Sequence, residues 1–270
     1  MINSLLNYSF MQNALMSAIF ASIICGIIGS IVIEKKLVMM SGGIAHTSFG
    51  GIGLGYYLNF EPLFGALIFA VFSSLAIVGI KRNTNTRSDT LIGLFWSVGM
   101  ALGILFISFT KGYPPSMSTY LFGDILTATR IDVLMAALLS LFVIFFISAY
   151  YNYWKAYLFD DEFLSVLGVN TRLMEYFLFI MIAFSIVVVI RLVGIILVIA
   201  LLTAPAALAR LFTYNLKKMI YTAVLLSILF STTGLYLSYN FNIPSGATII
   251  LLSGGMYLIT TLILKLKSSS

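Results

Sequence analysis

Nine runs of mainly apolar residues follow one another along this chain with little between them: 11–33, 37–58, 62–80, 90–110, 131–152, 173–190, 194–212, 219–238 and 247–264. A helix needs about 20 such residues to cross the hydrocarbon core of a bilayer. Inside lipid every backbone N–H and C=O must be satisfied within the segment, so runs of this length fold as helices. The predicted class is an all-α polytopic membrane protein of eight to nine transmembrane helices, with residues 1–270 forming a single transmembrane domain. The count stays open because the sixth and seventh runs meet at Arg191-Leu192-Val193-Gly194. Composition agrees, since only 9% of residues are charged, against about 25% in soluble domains.

Orientation follows from Lys and Arg. One set of connections (34–36, 81–89, 153–172, 210–218 and the tail 265–270) holds twelve of the fifteen; Lys111, Arg130 and Arg191 are the other three. Cytoplasmic loops carry this excess. The N-terminus is expected outside, the C-terminus inside, and the chain in the cytoplasmic membrane. The net charge of +6 is therefore orientation charge, scattered through short loops with no basic stripe, and no nucleic-acid partner is expected. The start lacks a basic stretch ahead of its apolar run, so no cleaved leader is expected. Cys25 is the single cysteine, which excludes an internal disulfide.

One cytoplasmic stretch cannot be a span. Asp160-Asp161-Glu162 is too acidic for hydrocarbon, at roughly 2.5–3.5 kcal/mol for an Asp at mid-span. It is suited to opening a helix: Asp160 caps it, and Asp161 and Glu162 meet its positive end. Gly168 stops it. Phe163, Leu164, Val166 and Leu167 then fall at helical spacing on one face. A two-turn amphipathic helix between spans offers an apolar surface to a protein in the cytoplasm.

His46, the only histidine, lies inside the second run. Gly42, His46 and Gly50 are four apart and stack on one face, with Gly43 and Gly53 close by. Gly51 and Gly55, and Gly99 and Gly103 in the fourth run, repeat the small-xxx-small spacing that lets helix backbones approach. Two readings of His46 stand side by side: an imidazole hydrogen-bonded between spans, or a ligand for a transition-metal ion in transit. One histidine cannot hold zinc tetrahedrally. Two copies meeting at a dimer axis would present two imidazoles, a weak site from which an ion can leave.

The other acidic residues read as caps or interface charges: Glu34 among lysines, Glu61 before Pro62, Asp89 capping the fourth run, Asp132 opening the fifth. Between Lys111 and Arg130, Pro114-Pro115 breaks the chain. The stretch from Ser118 to Leu126 then reads as an interfacial helix or a re-entrant element.

Several segments together resemble one family. Ser41-Gly42-Gly43-Ile44-Ala45-His46-Thr47-Ser48-Phe49-Gly50-Gly51 is similar to the second-span motif of permeases from zinc, manganese and iron ABC importers. Ser88-Asp89-Thr90-Leu91-Ile92-Gly93, Tyr120–Leu126, the acidic helix, Val193–Ala207, Gly234–Tyr239 and Ile243–Gly246 follow in the family's order. The resemblance implies a homodimeric permease with two cytoplasmic ABC ATPase subunits and an extracytoplasmic metal-binding protein. A divalent metal ion is then the transported substrate, no cofactor is permanently bound, and ATP acts only through the partner. Asp160 to Gly168 becomes the segment coupled to the ATPase, His46 a metal ligand, and Gly42, Gly43, Gly50 and Gly53 a translocation seam. The family commonly has an aspartate where this chain has Gly42, a serine at Ala45 and a proline at Gly50. Loss of a hard oxygen donor weighs for zinc over manganese or iron.

Two other classes fit the sequence less well. A stand-alone secondary transporter or channel would show an internal repeat and mid-span charges, and neither is evident. An intramembrane enzyme using His46 as base would need a nucleophile and an orienting carboxylate; Ser41, Thr47 and Ser48 are near, but no carboxylate completes the set. No nucleotide-binding G-x-x-x-x-G-K-[ST] occurs in the chain.

Overall fold

A computed structural model describes residues 8–84, 87–112 and 117–268. The elements are α1 (Ser9–Glu34), α2 (Val38–Leu58), α3 (Pro62–Asn83), α4 (Ser88–Phe109), α5 (Met117–Phe122), a 3₁₀ turn (Ile125–Thr127), α6 (Arg130–Ala149), α7 (Tyr151–Phe159), α8 (Asp161–Val166), α9 (Thr171–Val193), α10 (Ile195–Phe212), α11 (Leu216–Phe241) and α12 (Ser245–Ser268). Among the described residues there is no strand. The chain is all-α, as its apolar runs require.

Among the described residues, eight helices are long and apolar enough to cross a membrane: α1, α3, α4, α6 and α9 to α12. The remaining long helix, α2, has a span's length of 21 residues, but its glycines, Ser41, Thr47, Ser48 and His46 dilute its hydropathy. Most of α2 is buried in protein. That explains how a helix so poor in bulky apolar residues persists: its small side chains meet neighbouring helices in place of lipid.

The sixth and seventh runs are separate helices, divided at Gly194, whose φ of +83° no regular helix contains. A Cβ there would also lie 2.6 Å from the carbonyl carbon of Phe122. Only glycine combines that backbone conformation with that approach.

The chain clusters into two compact units. One comprises Met1–Glu34, Ser118–Phe146 and Val189–Ser270. Within it α1 packs on α10 and α11, which pack on each other and on α12. Small residues set these approaches: a Cβ on Gly26 would lie 2.7 Å from Cα of Val224, and one on Gly29 would meet the carbonyl oxygen of Leu202. Ser22 donates to Ser231 across the same α1–α11 contact, at 3.1 Å. The other unit comprises Lys35–Met117 and Ile147–Val188, with α2 wedged against α3 and α4 and α7 leading directly into α8.

The outer segment is a broken helical stub. α5 ends at Phe122, Gly123 turns the chain at φ +61°, and Asp124 caps the 3₁₀ turn by accepting from Leu126 N at 3.0 Å. Asn13 of α1 donates to the carbonyl of Ala128 at 3.2 Å, which ties the segment down. Pro114 and Pro115 lie outside the described residues.

Candidate functional site

His46 lies mid-way along α2, half-buried. Its ring stacks on Trp96 of α4, with centroids 4.0 Å apart and planes 10° from parallel. Nδ1 is buried and has no hydrogen-bond partner. The reading in which His46 is hydrogen-bonded between spans thus finds no partner for this nitrogen among the described residues. Sequence reasoning did not find Trp96, because nothing local to either residue links one helix to the other.

The glycines around His46 are packing positions in this structure. A Cβ on Gly43 would lie 2.7 Å from Cγ2 of Ile92, one on Gly50 would lie 2.8 Å from the carbonyl oxygen of Gly99, and one on Gly53 would lie 2.5 Å from that of Gly103. Gly99 and Gly103 thus face Gly50 and Gly53, whereas Gly51 and Gly55, the small-xxx-small pair of α2, face Gly65 and Pro62 of α3. Gly42 is buried as well. Thr47 Oγ1 lies 2.7 Å from the carbonyl of Gly43 and 3.0 Å from that of Phe95, sharing its proton between α2 and α4. Among the described residues no three His, Cys, Asp or Glu side chains are grouped to hold a metal ion. The site offers a single imidazole beside a close-packed glycine face.

The acidic helix forms as its sequence dictates. Asp160 Oδ1 accepts from Phe163 N at 2.8 Å, and Asp161 and Glu162 occupy the first turn. Gly168, at φ +81°, ends the helix, its N–H donating to Ser165 O at 3.0 Å. One residue departs from the expected face. Leu164 is 3% exposed, whereas Phe163, Val166 and Leu167 are 56%, 83% and 62% exposed. Positions 163, 166 and 167 follow the i, i+3, i+4 rule, and Leu164 lies a quarter-turn away and is buried. Leu164 therefore anchors the helix and is not available to a partner.

Lys35, just before α2, fastens the same helix. Its Nζ lies 3.4 Å from Asp161 Oδ2 and 4.3 Å from the ring centre of Tyr157 in α7. Burial, with Glu175 and Asp161 adding to it and Arg82 opposing, pushes the Tyr157 phenol well above its usual range. Glu175 of α9 accepts from Arg82 Nε of α3 at 2.5 Å and lies 3.7 Å from Lys81 Nζ.

Of the other acids, Glu34 and Asp132 are paired with arginines. Glu34 pairs with Arg210 at 2.7 Å. Asp132 accepts from Thr129 N and Oγ1 at 2.9 and 2.7 Å and pairs with Arg191 at 3.2 Å. Asp89 sits inside the first turn of α4, where Arg87 holds the cap position, so it does not cap.

Residues 7–264 match the model of the ABC 3 transport family. The chain belongs to that family. It is 42% identical over 255 residues to an uncharacterized membrane protein of Synechocystis, covering 94% of this chain and 91% of that one. It is 33% identical to the manganese transport system membrane protein of Listeria monocytogenes, covering 97% and 93%. Among solved structures it is similar to PsaBC from Streptococcus pneumoniae in complex with Fab, with a TM-score of 0.85 and 30% identity over 96% of this chain and 93% of that one. This ABC 3 family member is a multi-pass membrane protein and a transport subunit.

Proposed function

We propose that this chain is the permease subunit of an ATP-driven importer that carries a divalent first-row metal ion across the cytoplasmic membrane. The observation that carries the reading is its end-to-end likeness to relatives named for manganese transport in Listeria and Halalkalibacterium. Manganese stands first on that ground and zinc second. The missing carboxylate at Gly42 pulls the other way, because manganese favours oxygen donors and zinc accepts imidazole.

In this reading residues 1–270 act as one permease domain, paired with a second copy, two cytoplasmic ATPase subunits and an extracytoplasmic metal-binding protein. Phe163, Val166 and Leu167 give the exposed apolar face that would seat in the ATPase. Asp160, Asp161, Glu162 and Gly168 shape that helix, and Leu164 holds it to the permease. His46 would hold the ion briefly, within the packed face formed by Gly42, Gly43, Gly50 and Gly53. A lone imidazole suits transit, since an ion gripped by a complete ligand set leaves slowly.

The test is uptake by cells that express the permease with the ATPase and binding protein encoded beside it, comparing manganese, zinc and iron. Wild-type uptake of one metal, lost in a stably inserted His46→Ala variant, is expected. Uptake untouched by that change would remove His46 from the pathway. Co-purification of the ATPase should be lost in Phe163→Asp/Leu167→Asp; a complex that survives would overturn the coupling role of α8.

A further inference from the structure

We propose that Trp96 is a positioning residue for metal passage: it fixes the plane of the His46 imidazole, closes one face of it, and leaves Nε2 as the nitrogen presented to the ion. This rests on the reading of His46 as a pathway ligand. The terminal torsion of a histidine is broad and roughly two-fold, so an unrestrained imidazole offers its nitrogens in many directions. Here the ring lies 4.0 Å from the indole and within 10° of parallel, a stacked pair.

The pair is built into the backbone. Glycine faces glycine where α2 meets α4, at Gly50 and Gly99 and again at Gly53 and Gly103. Thr47, next to His46, reaches the carbonyl of Phe95, next to Trp96, at 3.0 Å. The two rings are thus held by adjacent residues on helices that cannot separate without breaking that contact. With Nδ1 buried and unpartnered, Nε2 is left as the nitrogen an ion can reach. In metalloproteins a hydrogen-bonded neighbour usually orients a ligating histidine; in this chain an aromatic face does so.

The test combines uptake and fluorescence. In cells taking up manganese, Trp96→Ala should raise the half-saturating concentration roughly three- to tenfold, the worth of one aromatic pair, and leave the maximal rate nearly unchanged. Trp96→Phe, which restores a stacking ring, should recover most of the loss. The chain has two tryptophans, so in purified Trp154→Phe protein Trp96 is the sole reporter. Added manganese, which is paramagnetic, should quench it saturably, and His46→Ala should abolish the quench. A Trp96→Ala variant with an unchanged half-saturation, or a Trp96→Phe variant no better than Trp96→Ala, would overturn the positioning role while His46 stands. Quenching and uptake both indifferent to His46→Ala would overturn the pathway role of His46, and the role of Trp96 with it.

Discussion

The same substitution, glycine to alanine, should have opposite effects at two positions on adjacent helices of one unit. At Gly51 of α2 a new Cβ would meet the carbonyl oxygen of Gly65 in α3 and lie 2.7 Å from the N of Ala66; at Gly65 it would meet the carbonyl of Gly51. These obstacles are backbone, which cannot rotate away. Forcing a methyl into a packed contact costs about 1–3 kcal/mol, and an obstacle made of backbone puts this site in the upper part of that range, about 2–3 kcal/mol, against which alanine's helix preference returns up to about 1 kcal/mol. The net loss for Gly51→Ala is about 1–2 kcal/mol. At Gly93 of α4 a Cβ would meet nothing within 4 Å. There only the preference acts, and Gly93→Ala should be stabilising by up to about 1 kcal/mol. At roughly 2–4 °C per kcal/mol for a chain of this size, apparent Tm in detergent should fall about 2–8 °C for Gly51→Ala and rise by up to about 4 °C for Gly93→Ala. Both scans should run at one rate, because membrane-protein unfolding is often irreversible. A fall of equal size at both positions would refute the argument, since it would make glycine itself, and not the close approach, the source of stability. An unchanged Gly51→Ala would refute the α2–α3 contact.

Glu175 should be worth more than a surface carboxylate. Its side chain is 11% exposed and pairs with Arg82 at 34% exposure, so Glu175→Gln should cost about 1–3 kcal/mol, discounted for the partly solvated cation. The cost should shrink in an Arg82→Leu background; an equal cost there would show that the pair is not coupled. Tyr157 supplies a pH dependence. Its phenol titrates higher in the folded protein than in the unfolded chain, so the unfolded state loses its proton first and stability falls as pH rises above about 10. Tyr157→Phe should flatten that alkaline decline in apparent Tm, and an identical slope would count against the burial of the phenol.

Most of the helix inventory was legible locally. The long helices fall within a few residues of the apolar runs because hydrophobic length alone decides where a chain can cross lipid. Asp160 and Gly168 were readable for a related reason: a cap and a stop act on their own turn, and both are seen in those roles. The break at Gly194 was only half-legible. The runs on either side of it are nearly continuous, and its reason is the backbone at Phe122 and Gly123, far away in sequence.

Sequence by itself determined the class of this protein, the number of its long helices within one, and the two places that depart from plain span, His46 and the acidic helix. These follow from hydropathy, spacing and the cost of charge in hydrocarbon, which are properties of a segment. Tertiary structure decided which face of each element meets which neighbour. It turned Leu164 inward and left Phe163, Val166 and Leu167 outside, matched the glycines of α2 with those of α3 and α4, and laid Trp96 on His46. Those pairings depend on how close two backbones come, and no periodicity within a single helix records that distance.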